Sequence, residues 1–347
     1  MKLEIQANYK IIFSHKNHSN TIILTVLQLF NTCNTVIIIV MRYIKLNPKR
    51  SLSCFFLLFS ILFLNISCKY NSSPYADVTL QTLLAPYDKS KLTPVDVVIL
   101  SGQSNMAGSG IPEEAKQYLS AEEYTQISNG IDGVTIFTCN DYVALKGNCV
   151  FSPYSNVNFK NGSFGDLFGP EVGFALECKK AGRSLVLIKY SAGGMPMNHF
   201  LEDNDISRVM KGYILNCLLE LVNKGYYPNI QAFCWMQGEN DCDLFNANNY
   251  YNKECLLINS VRKSFNEKLL FIDARVTDWD LVDPDGHQDI VNKAKEKIAQ
   301  EERLCYLIDS TGLKKNQFNI GHYDTPSTIE LGRRFAREFL AHSEAGK

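Results

Sequence analysis

Residues 95–100, VDVVIL, are apolar after Asp96 and rich in β-branched side chains, which suits a strand buried on both faces. Five more short runs read as strands, at 130–138, 184–190, 229–236, 269–276 and 305–309. Between them lie stretches with helical spacing at 168–180, 203–224, 250–266, 288–301 and 327–341. Pro170 suits the first turn of one helix. Ser327 is the expected cap of the last, with Glu330 three positions on. Buried strands alternating with helices predict an α/β fold: a three-layer α/β/α sandwich on a mainly parallel sheet. Ligands of such sheets lie beyond the carboxyl ends of the strands. Three strand ends therefore stand out: GQSNMAGSG after 95–100, SAGG after 184–190 and QGEND after 229–236.

Residues 94–342 have ordinary globular composition and the size of one domain. Ahead of them, Met41 opens a basic segment, an apolar core from Leu52 to Leu64 and small residues near Cys68, the pattern of an export signal over 41–68. Residues 1–40 then read as an over-extended N-terminus, and 69–93 as a linker. Two membrane spans are the alternative, but the second apolar stretch is short and the first carries Asn31 and Asn34. Residues 64–68, LNISC, partly match a lipoprotein signal, so lipidation at Cys68, plain cleavage and an uncleaved anchor all stay open. The expected location is exported: periplasmic, extracellular or membrane-anchored through the N-terminal region. The formal net charge of −1 and the lack of a basic run beyond the leader argue against a nucleic-acid partner. No CxxC occurs, which argues against a zinc knuckle or redox dithiol. In an exported domain Cys139–Cys149 and Cys234–Cys242 are the nearest disulfide pairs, while other cysteines in apolar runs read as buried thiols.

Ser104, at a strand-to-loop turn, is a nucleophile only if a base takes its proton. His322 sits in QFNIGHYDT just before the final helix, whose packing would fix it near the serine. Acyl transfer also needs donors aimed at a developing oxyanion. The N–H groups of Ser104 and Gly194 (or Gly193) and the Gln237 amide are the candidates. Gln103, Asn105 and Trp235 are candidate substrate-binding residues, with Asn105 equally a brace for the turn and Trp235 equally core. His199 reads as pocket wall. Glu239, Asp241 and Asp243 form an acidic cluster, but no histidine lies near them, so neither a metal nor any cofactor is expected. Gly102, Gly108 and Gly110 fit neither the dinucleotide nor the phosphate-loop spacing.

GQSNM at 102–106, GPE at 169–171, GG at 193–194, WMQGEND at 235–241 and the stretch from His322 to Gly332 resemble the SGNH/GDSL hydrolase superfamily. Within it the chain is similar to the carbohydrate acetylesterase branch of sialate O-acetylesterases and acetyl-xylan esterases, over roughly 95–341. The resemblance implies a flavodoxin-like SGNH fold and a serine esterase that removes O-acetyl groups from mono-, oligo- or polysaccharides. It implies Ser104 as nucleophile, His322 as base, and Gly194 and Gln237 at the oxyanion. The family commonly has an aspartate three residues before the histidine; here that position is Asn319. An amide can hold an imidazole but cannot offset its charge. Glu239 is the leading substitute as orienting acid, and Asp324 the second. Failing both, the chain is a weak dyad or a carbohydrate-binding surface protein that keeps the fold.

Overall fold

The computed structural model describes residues 77–139, 154–163, 165–202, 204–276 and 285–343. The expected leader, the Cys68 site and Cys149 lie outside the described residues. Helix α1 (Leu80–Leu84) is started by a Thr79–Thr82 capping box, and it buries Leu80 and Leu84. That corrects the expected linker over 69–93: part of it belongs to the folded core, because two leucines recur at the four-residue spacing that shares one helix face. Strand β1 (Thr93–Gly102) is followed by α2 (Ser104–Ala107), α3 (Pro112–Ala115) and α4 (Ala121–Asn129), the last started by a Ser120–Glu123 capping box. Next come β2 (Ile131–Thr138), β3 (Ser155–Val157), α5 (Glu171–Lys180), β4 (Leu185–Ser191) and α6 (Asp205–Asn223). After β5 (Tyr226–Met236) the chain forms α7 (Leu244–Ala247), α8 (Tyr250–Ser264), β6 (Leu270–Ala274), α9 (His287–Glu301) and β7 (Cys305–Ile308). A hairpin of β8 (Lys315–Asn316) and β9 (Asn319–Tyr323) leads into α10 (Thr325–His342).

Seven strands form one sheet in the order β3-β2-β4-β1-β5-β6-β7, parallel except for β3. Alternate residues of β1 serve opposite cores. Val97 and Ile99 pack with α6, α8 and α9, whereas Val98 and Leu100 pack with α5 and α10. The architecture is the expected three-layer α/β/α sandwich. The six expected strands and five expected helices are present with ends shifted by a few residues.

Three local readings change. His322 lies on β9, not in a loop, and α10 starts at Thr325 with Asp324 as its cap, not Ser327; Asp324 Oδ1 accepts from Ser327 N at 2.9 Å. A Cys234–Cys242 disulfide does not form. Cys234 is a free thiol in the core on the α5 side, while Cys242 packs on the other face of the sheet and donates to the Gly238 carbonyl. Among the described residues no helix is long and apolar enough to cross a membrane.

Candidate active site

Parallel register brings the three marked strand ends together: Gly102 of β1 pairs with Ser191 of β4 on one side and Met236 of β5 on the other. The ladder continues one step further, with Gln103 N donating to Met236 O and Ala192 N to Gly102 O, each at 2.9 Å. Gly102 has φ 147°, and a Cβ there would lie 2.0 Å from Met236 O, so only glycine lets β1 close on β5 here. Ser104, half-buried, opens α2 directly after this contact.

The far end of α2 is held from below. Lys189 Nζ, on β4, donates to Ala107 O at 2.8 Å and to Glu171 Oε2 at 2.5 Å, both side chains fully buried. Glu171 Oε1 accepts from Gly169 N at 2.7 Å. Gly108, at φ 101°, passes so close to Gly169 that a Cβ would lie 2.1 Å from its α-carbon. The GPE segment is thus the floor of the turn that carries Ser104. Nothing in the spacing of the sequence pointed to Lys189, a cation inside an apolar run.

Asn105 connects three segments. Its Nδ2 donates to Glu239 Oε1 at 2.6 Å and its Oδ1 accepts from Tyr323 N at 3.1 Å. Ser109 Oγ donates to Tyr323 O at 2.5 Å. The β9 hairpin that bears His322 is therefore docked on the turn that bears Ser104. No hydrogen bond joins Ser104 to His322, and His322 Nδ1 is buried without a partner. Burial holds the imidazole below its ordinary pKa, so it is neutral at physiological pH. Burial pushes Glu239 above the ordinary carboxyl range, against the opposing effects of its Asn105 bond and Lys295.

Several expected roles shift. Glu239, expected to orient His322, bonds Asn105 instead, and its Oε2 makes no hydrogen bond. Asp324 is spent on the α10 cap, and Asn319 is exposed in the hairpin. Gln237, expected at the oxyanion, is fully buried with its amide committed: Nε2 donates to Asp241 Oδ2 at 2.6 Å and Met195 O at 3.2 Å, and Oε1 accepts from Tyr250 at 2.9 Å. It braces the β5 end and has no N–H to spare for a substrate. Trp235 is 0% exposed and packs edge-on against Phe200, so it is core and not a substrate platform. Gln103, 2% exposed, donates to Asn240 Oδ1 at 2.9 Å and is likewise a brace. Gly194 does face solvent, at φ 71° with open space about its α-carbon, and His199 is exposed. The acidic cluster is divided among structural tasks: Asp241 also accepts from Met197 N, and Asp243 caps α7.

Beneath Gly238 lies a charged cluster whose members are far apart in the chain and follow no local pattern. Lys295 of α9 reaches Asp273 Oδ1 and Oδ2 of β6 at 2.7 and 2.8 Å and lies 3.8 Å from Glu254 of α8. A Cβ on Gly238 would sit 3.3 Å from Lys295 Cε, so the cation supports the loop that carries Glu239.

Comparison with known proteins agrees with this architecture. A protein of Arabidopsis thaliana superposes with a TM-score of 0.53 at 21% identity, over 72% of this chain and 99% of its own. NanS gives a TM-score of 0.53 at 11% identity, over 72% of this chain and 98% of its own. Both likenesses concern the fold. No curated protein matches the chain. The model of the SASA family, described as carbohydrate esterase, sialic acid-specific acetylesterase, matches residues 94–341. A match over most of the chain, on this α/β/α frame, makes this protein a member of that carbohydrate esterase family, and so a carboxylic ester hydrolase.

Proposed function

We propose that the protein removes O-acetyl groups from a carbohydrate through an acyl-enzyme on Ser104, with His322 as general base. The observation that carries this reading is the Asn105–Tyr323 hydrogen bond, which couples the residue after Ser104 to the residue after His322 across 218 positions of chain. In the proposed cycle neutral His322 takes the Ser104 proton as Oγ attacks the acetyl carbonyl. The N–H groups of Ser104 and Gly194 meet the oxyanion. His322 then protonates the departing sugar hydroxyl, and afterwards activates the water that releases acetate and restores the serine. The family match supports the proposed substrate class, an acetylated mono-, oligo- or polysaccharide. Export through the N-terminal region, with or without membrane attachment, completes the proposal.

Two observations favour a competing reading, a glycan-binding protein with little turnover: His322 Nδ1 has no partner, and Asn319 is an exposed amide. Acetate release from p-nitrophenyl acetate and from a panel of acetylated sugars separates the two. The esterase reading expects turnover that Ser104→Ala lowers by about a thousandfold or more. Equal rates for both proteins, or glycan affinity without turnover, would overturn it.

A further inference from the structure

The two proposed catalytic residues stand on elements of opposite origin. Ser104 follows the central strand of the main sheet, whereas His322 lies on a two-stranded ribbon outside it. The side chain of Asn105, 2% exposed, spans the join. One partner, Tyr323 N–H, can only donate, and the other, the Glu239 carboxylate, accepts, so the amide must turn its oxygen to the hairpin and its nitrogen to Glu239. An acceptor and a donor are needed side by side on one planar group, and among side chains of this length only asparagine supplies both without taking up a proton.

From this arrangement we infer that Asn105 is a positioning residue that sets the reach from Ser104 to His322, and that Glu239 acts on the reaction through Asn105 without touching the imidazole. The inference rests on the proposed Ser104–His322 chemistry and adds a mechanism for how the pair is held. It also explains why an acid can be absent three residues before His322: the hairpin backbone is fixed at Tyr323, on both its N–H and, through Ser109, its carbonyl. The charged groups facing Glu239 are Lys295 of α9 and Asp273 of β6, with Glu254 of α8 bound into the same cluster; the hairpin itself carries Lys315, His322 and Tyr323.

Asn105→Asp tests this with a signature that simple loosening would not give. It keeps the acceptor for Tyr323 N–H but sets a second carboxyl against Glu239 Oε1. Two carboxyls at hydrogen-bond distance share one proton in acid and repel once it is lost. The kcat of Asn105→Asp relative to wild type, on p-nitrophenyl acetate, should be within about tenfold near pH 5.5 and fall to about a hundredfold deficit near pH 8.5, with KM little changed. Asn105→Ala should show the larger deficit at both pH values. Circular dichroism at each pH measures the folded fraction. A kcat ratio that is the same at both pH values, one that merely follows loss of folded protein, or an Asn105→Ala enzyme with wild-type kcat would each overturn the inference, provided Ser104→Ala and His322→Ala are inactive. Full activity in Ser104→Ala or His322→Ala would instead sink the underlying chemistry.

Discussion

Replacing Lys295 with methionine keeps the volume of a fully buried side chain and deletes its charge. Lys295 Nζ holds both oxygens of Asp273 at 2.7 and 2.8 Å, lies 3.8 Å from Glu254 and sits 5.2 Å from the centre of the Tyr250 ring. Breaking a buried pair by removing one partner costs about 3–5 kcal/mol, because the other charge is left without compensation. For a domain of this size that corresponds to a fall in melting temperature of roughly 10 °C. The pH dependence has a definite sign. Burial pushes Asp273 and Glu254 above their ordinary values even with Lys295 present, so from about pH 4 upward the folded state holds protons that the unfolded chain has released. Stability contributed by these two groups is present in acid and lost as pH rises through their folded values. Burial alone would lower the pKa of Lys295, but Asp273 and Glu254 outweigh it and raise it, so its own contribution persists until strongly alkaline pH. Without the lysine both carboxyls rise further, and Lys295→Met should lose more at pH 8 than at pH 5. Adding Asp273→Asn should recover part of the loss at pH 8. Thermal melting by circular dichroism at the two pH values is the assay. A single variant that melts with wild type, or one whose deficit is equal at both pH values, refutes the electrostatic account.

Two other outcomes follow from the same geometry. Gly102→Ala drives a methyl to 2.0 Å from Met236 O, so it should lower stability by about 3 kcal/mol or prevent folding; a soluble variant with wild-type melting would contradict the close approach of β1 and β5. Because burial holds His322 below 6.5, the acid limb of kcat/KM should have its midpoint below that value, with activity rising as the imidazole loses its proton; a midpoint above it would mean that a carboxylate faces the ring.

The sandwich was legible because each buried strand is a continuous apolar run, and hydrophobic period is what sequence displays most directly. The strand-end rule brought the segments after β1, β4 and β5 to one edge for the same reason: register follows from parallel pairing. What failed concerned polar side chains whose partners are distant in sequence. Gln237 and Trp235 stand beside the site in the chain, yet both turn into the body of the domain, and no local pattern distinguishes an amide that faces a substrate from one bound to Asp241 and Tyr250. Glu239 has a clear place in the motif, but its partner is set by Asn105, 134 residues away. The β8–β9 hairpin was missed because it is short and carries no alternating apolar pattern to announce it.

The ribbon that carries His322 has a consequence for how the protein comes into being. Synthesis delivers Asn105, on the Ser104 turn, 218 residues before the backbone amide that docks the ribbon to it. All seven strands of the sheet are synthesised before the proposed proton acceptor and before α10, which covers one of the sheet's faces. A copy clipped just ahead of Lys315 would lose the proposed base together with α10, whose Ile329, Leu331, Phe335 and Phe339 cover one face of the sheet.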